Sequence, residues 1–93
     1  MNVSILVPSA LRGFTAGAAS VGVQAPTAGE ALDALVAKHP GLAPHLRTPD
    51  GALRSFVNVY RNDLDLRGLD GLATRLADGD TLILVPAIAG GRA

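Results

Sequence analysis

Ninety-three residues, 48% of them hydrophobic, suffice for one small domain but not for two with separate cores. Eight lysines and arginines balance eight acidic residues, and the arginines are scattered, so the basic stripe that would track a phosphate backbone is missing and no nucleic-acid partner is expected. With no cysteine, the chain cannot build a disulfide scaffold, a thiolate zinc site or a Cys nucleophile. A mean hydropathy of +0.33 points to a packed globule and away from disorder. With only two Phe and one Tyr, its core must be made of Leu, Val, Ile and Ala.

Residues 2–7 predict a first strand, with Val3, Ile5 and Val7 on one face and Ser4 and Leu6 on the other. This apolar run is short, follows no basic region and stops at Pro8. It therefore suits neither a signal-peptide core nor a bilayer span, and the expected location is the cytoplasm, with no membrane partner. Residues 8–18 contain Gly13 and Gly17 and read as a connecting loop, and 20–24 supply a second strand carrying Val21 and Val23. Thr27 and Glu30 have capping-box spacing, and Ala28, Ala31, Leu32, Leu35 and Val36 recur at helical period until Pro40 and Gly41 stop the helix. Residues 41–55 show no sustained period and read as a long surface connection, with one helical turn over 44–47.

The run 56–60 is a strand with Val57 and Val59 inward, Asn62 and Asp63 supply turn chemistry, and 64–66 give a short strand. Residues 69–76 predict a helical turn. Asp78, Gly79 and Asp80 form another turn, which leads into a last strand over 81–86 that is apolar on both faces. The expected class is α+β: a β-grasp (ubiquitin-like) domain over 1–86, with a mixed sheet of about five strands and one main helix on one face. A tail over 87–93 holds Gly90 and Gly91. Pattern alone leaves this one of several α+β arrangements.

No residue pattern proposes an active site. Asp78 and Asp80 read as turn residues around a glycine of positive φ, and Asp63 and Asp65 lack the later glutamate of a calcium loop. His39 and His45 lack zinc-site spacing, and the glycines at 13 and 17 lack the Gly-Lys-Ser/Thr ending of a phosphate loop. No nucleophile-elbow motif accompanies the serines, and no metal or bound cofactor is expected. Leu6, Phe56, Tyr60, Ile83 and Val85 are candidates for a partner-docking face, with burial in the core as the competing reading.

Four pieces occur in order: the strand Phe56, Val57, Asn58, Val59, Tyr60 with Arg61 and Asn62 after it; the turn Leu76, Ala77, Asp78, Gly79, Asp80; a strand ended by Pro86; and Gly90 with Gly91. In this combination the chain resembles the MoaD/ThiS family of ubiquitin-like sulfur carrier proteins over nearly its whole length. It is most similar to the CysO-type carriers, through Val7 to Arg12 and Arg54 to Asn58. The resemblance implies a carrier that is not itself an enzyme. A partner E1-like enzyme would use ATP to adenylate the Gly91 carboxylate, and a sulfide or persulfide sulfur would displace AMP to leave a thiocarboxylate. The acceptor would belong to cysteine or secondary-metabolite and cofactor biosynthesis. Partners would then be a PLP-dependent cysteine synthase, holding an activated serine derivative, or a thiazole-synthase-like enzyme.

Family members usually end at the second glycine, whereas this chain continues through Arg92 and Ala93. The resemblance therefore implies a precursor cut between Gly91 and Arg92 by a JAMM-type metalloprotease, unless the two residues are an artefact. Two glycines suit such a tail because a backbone without Cβ atoms can thread a narrow channel and leaves the carbonyl open to attack. The rival expectations are a protein modifier that joins its glycine carboxylate to lysines, a β-grasp interaction domain, and a small subunit of molybdopterin synthase.

Overall fold

The computed structural model describes residues 1–50, 52–53 and 57–86. Five strands form one mixed sheet: β1 (Asn2–Leu6), β2 (Ser20–Gln24), β3 (Val57–Arg61), β4 (Leu64–Asp65) and β5 (Thr81–Pro86). Their spatial order is β2-β1-β5-β3-β4. Strand β1 runs antiparallel to β2 and parallel to β5, while β3 runs antiparallel to both β5 and β4. The first strand and the last are thus neighbours in the interior of the sheet, as the β-grasp expectation requires.

Helix α1 (Ala28–Lys38) begins where the sequence places it, because the Thr27 hydroxyl accepts the Glu30 backbone N–H at 3.3 Å. Its buried residues, Ala28, Ala31, Leu32 and Leu35, join Val3, Ile5, Val21, Val23, Val57, Val59, Leu82 and Leu84 in one apolar cluster. Strands β1, β2, β3 and β5 each contribute alternate residues to that cluster, so the helix covers one face of the sheet and leaves the other to solvent. Full burial of each Leu or Ile contributes roughly 1.5–3 kcal/mol.

The connections are more structured than their sequences suggest. In place of an irregular loop over 8–18, a 3-10 turn spans Ser9–Phe14. It is anchored by buried Leu11 and by Thr15, whose hydroxyl meets the carbonyls of Arg12 and Ala18 at 3.2 and 2.9 Å. The expected surface connection over 41–55 instead drives Leu42 and Leu46 into the core, both at 0% exposure. A 3-10 turn, Pro40–Leu42, and a four-residue helix α2, Ala43–Leu46, present them. Leu66 lies in the 3-10 turn Leu66–Gly68 and not in β4, and the helical turn expected over 69–76 shrinks to Gly71–Ala73.

Candidate functional site

The two faces of β5 separate the core from the candidate docking surface. Leu82 and Leu84 point into the core, at 0% and 2% exposure, while Thr81, Ile83 and Val85 alternate to the far side. Ile83 lies opposite Leu6 of β1 and opposite Tyr60 of β3, so the three form a row across the middle strands. Val85 sits one alternation further along, opposite Asn58. Leu6 and Val85 are 39% and 38% exposed, and Ile83 and Tyr60 are half-buried. Four of the five sequence candidates therefore share one apolar patch on the face away from α1. The fifth, Phe56, lies outside the described residues, as do Gly90, Gly91 and Arg92. An apolar group on an otherwise polar sheet face is the kind of surface that marks a protein contact.

A polar frame borders the patch where β5 finishes. Arg67 reaches back over β3, its Nη1 donating to Asn58 Oδ1 and its Nη2 donating to the Val57 carbonyl at 3.3 Å. The Arg67 backbone N–H in turn donates to Asp65 Oδ1 at 2.8 Å, which fixes the turn after β4.

The opposite end of β5 is a hydrogen-bonded knot. Gly79 takes φ +89, a conformation that side chains disfavour, and this lets Asp78 and Asp80 point to different strands. Asp78 Oδ1 accepts the Asn2 backbone N–H at 2.7 Å, and the Gly79 N–H donates to the Asn2 carbonyl at 2.8 Å, tying down the start of β1. Buried Asp80 accepts from the Ala77 N–H and from Arg61 Nε, both at 2.7 Å, and from Asn62 Nδ2 at 3.3 Å. Asn62 stands at φ +55 in the β3–β4 turn, and its Oδ1 accepts the Thr81 N–H at 3.1 Å. The Ala77 N–H foremost, then Arg61 and Asn62, hold the Asp80 carboxyl below its ordinary value of 3.8, against the opposing effect of burial.

The two aspartates are thus structural, as their turn reading has it. The Arg61–Asp80 pair escapes sequence reasoning because its members stand nineteen residues apart with no periodic relation. Asp65 caps the 3-10 turn after β4, and His45 stacks against Phe14 with ring centroids 4.4 Å apart. Among the described residues, no three His, Cys, Asp or Glu side chains gather as a metal site, and no helix is long and apolar enough to cross a membrane.

Comparison with known proteins agrees with this geometry. The ThiS family model matches residues 5–91, so the match runs through the described sheet and stops at Gly91. The chain is 43% identical to the sulfur carrier protein CysO of Mycobacterium tuberculosis, over 98% of this chain and all of that one. It is also 43% identical to small archaeal modifier protein 3 of Haloferax volcanii, over 70% of each chain. The CysO chain in the crystal structure of the Amycolatopsis orientalis BexX/CysO complex superposes with a TM-score of 0.88 at 39% identity, covering 96% of this chain and 99% of that one. Mycobacterium tuberculosis CysO gives 0.86 at 40%, covering 94% and 100%. These relatives are small sulfur carriers and a small modifier protein, not catalysts. The chain belongs to the ThiS family and is a ubiquitin-like β-grasp sulfur carrier protein of the CysO type.

Proposed function

We propose that this chain carries sulfur as a thiocarboxylate on Gly91. A carboxylate is a poor acyl donor, because resonance and its negative charge repel a nucleophile. An E1-like enzyme joins the carboxylate to the α-phosphorus of ATP, giving an acyl adenylate and releasing pyrophosphate. A sulfide then attacks the acyl carbon, the bond to AMP breaks with its electron pair, and –COS⁻ remains. A persulfide donor serves equally once a second thiol has cleaved its S–S bond. The chain binds no cofactor of its own in this scheme, and ATP belongs to the enzyme.

The observation that carries this reading is the outer face of β5. It joins Leu6, Ile83, Tyr60 and Val85 into one surface that ends at the strand from which the Gly90 and Gly91 tail continues. A partner seated there would receive the tail end-on. The family match ends at Gly91, and in this reading a JAMM-type protease removes Arg92 and Ala93 before activation. The acceptor would be a PLP-dependent cysteine synthase or a thiazole-synthase-like enzyme. No catalytic residue is required of this chain, whose cytoplasmic setting follows from those partners.

Deletion of residues 90–93 tests the reading. The truncated chain should still bind the adenylating enzyme yet support no pyrophosphate release, whereas retained function would make the tail incidental and the chain a docking module. The likeness to small archaeal modifier proteins favours a second reading, attachment of Gly91 to lysines of other proteins. Isopeptide-linked adducts in the native host, without a thiocarboxylate, would select it.

A further inference from the structure

Two arginines stand at the end of the sheet from which the tail continues, and neither belongs to the core or to the apolar patch. Arg12 is exposed just beyond β1, and its Nε donates to the Val7 carbonyl at 3.0 Å. Arg67 is exposed just beyond β4 and is held by Asn58 and the Val57 carbonyl. Leu6 pairs with Ile83 in parallel and Val57 pairs with Pro86 in antiparallel register, so Val7 follows on toward Leu84 and both carbonyls belong to the finishing half of β5. They flank β5 on opposite sides, two strand spacings or roughly 10 Å apart. Ile83 and Val85 lie between them, beside Leu6.

Both side chains are tethered through a main-chain carbonyl, which removes part of the rotamer freedom that an interface would otherwise have to freeze. A guanidinium also keeps its charge at every physiological pH. Two fixed positive charges therefore bracket the root of the tail in a chain whose formal net charge is zero. A phosphate group calls for donors converging on one point, whereas the carbonyls that anchor these two stand on opposite sides of β5. An apolar centre with charge at its rim is the anatomy of a protein interface.

We propose that Arg12 and Arg67 form a cationic frame that docks on carboxylates bordering the tail-receiving channel of the adenylating enzyme. This rests on the functional reading above and adds to it the charge of the partner. Rim charges of this kind speed and orient encounter more than they add contact energy, so their signature is a salt-dependent KM with an unaltered kcat.

The test is ATP–pyrophosphate exchange by the E1-like enzyme of the native host, with the chain ending at Gly91 as substrate. For the unsubstituted chain, KM should rise several-fold between 50 and 300 mM salt, roughly as steering predicts. The pair Arg12→Glu and Arg67→Glu should raise KM roughly tenfold or more at low salt, flatten or invert its salt dependence, and leave kcat unchanged. A salt-independent KM for the unsubstituted chain would overturn the frame whether or not the variants fold. So would a folded double variant with unaltered KM. If no adenylating enzyme exchanges pyrophosphate with the unsubstituted chain, the functional reading falls and takes the frame with it.

Discussion

The two ends of β5 are built for different purposes. Where the strand starts, Asp78, Asp80, Asn62 and Arg61 saturate one another and the backbone of β1, with contacts of 2.7–3.3 Å. Where it finishes, the solvent-facing positions are apolar, and Val85 stays 38% exposed. A carrier whose tail must enter another protein needs a rigid root and an adhesive surface beside that root. Tying the Asp78 and Asp80 turn to β1 and β3 at the far end, with Arg12 and Arg67 bordering the near one, keeps the apolar surface from being closed off by the chain itself.

The largest expected effect separates the inward and outward sides of that one strand. Leu84→Ala should cost about 3 kcal/mol in a denaturant titration, since its 2% exposed side chain would leave a cavity. A loss below about 0.5 kcal/mol would mean that β5 is not the core strand described here. Next comes Asp80→Ala, expected to destabilise by about 2 kcal/mol, because the Ala77 N–H and the Arg61 guanidinium lose a carboxylate that is only 10% exposed. Pyrophosphate exchange by this variant should proceed with ordinary kcat below its melting temperature.

Leu6→Ser together with Val85→Ser inverts that pattern. Surface changes of this kind should move stability by less than about 0.5 kcal/mol, yet KM for the adenylating enzyme should rise roughly tenfold. If both quantities moved together, the outer face would be part of the fold's stability and not a docking surface.

The smallest effect is electrostatic. Because the folded state holds Asp80 below 3.8, its contribution is complete above the unfolded value and disappears as pH falls through the lower folded value. Acid titration of unfolding free energy should therefore show a slope below about pH 4 that Asp80→Asn reduces. An unchanged slope would place the acid sensitivity elsewhere.

Much of this division was legible in the residues. Alternation gave β1, β2 and β3, a short unbroken apolar run gave β5, the Thr27 cap and helical period gave α1, and Asp78, Gly79 and Asp80 spelled a turn. The β5 sequence, apolar at both parities, announced two apolar faces. Which of them met solvent depended on where the single long helix packed, a tertiary fact. Leu42 and Leu46 were hidden for a related reason: a short 3-10 turn and one turn of helix have too few residues to display a period. The Arg61–Asp80 pair needed the fold to bring two distant turns together. For the tail, sequence is the whole testimony, since Gly90, Gly91 and Arg92 lie outside the described residues.

The most direct measurement is the intact mass of the protein purified from its native host during sulfur-demanding growth. The account predicts a species ending at Gly91 and heavier by the exchange of one oxygen for one sulfur. A population ending only at Ala93, with no sulfur exchange under those conditions, would contradict it.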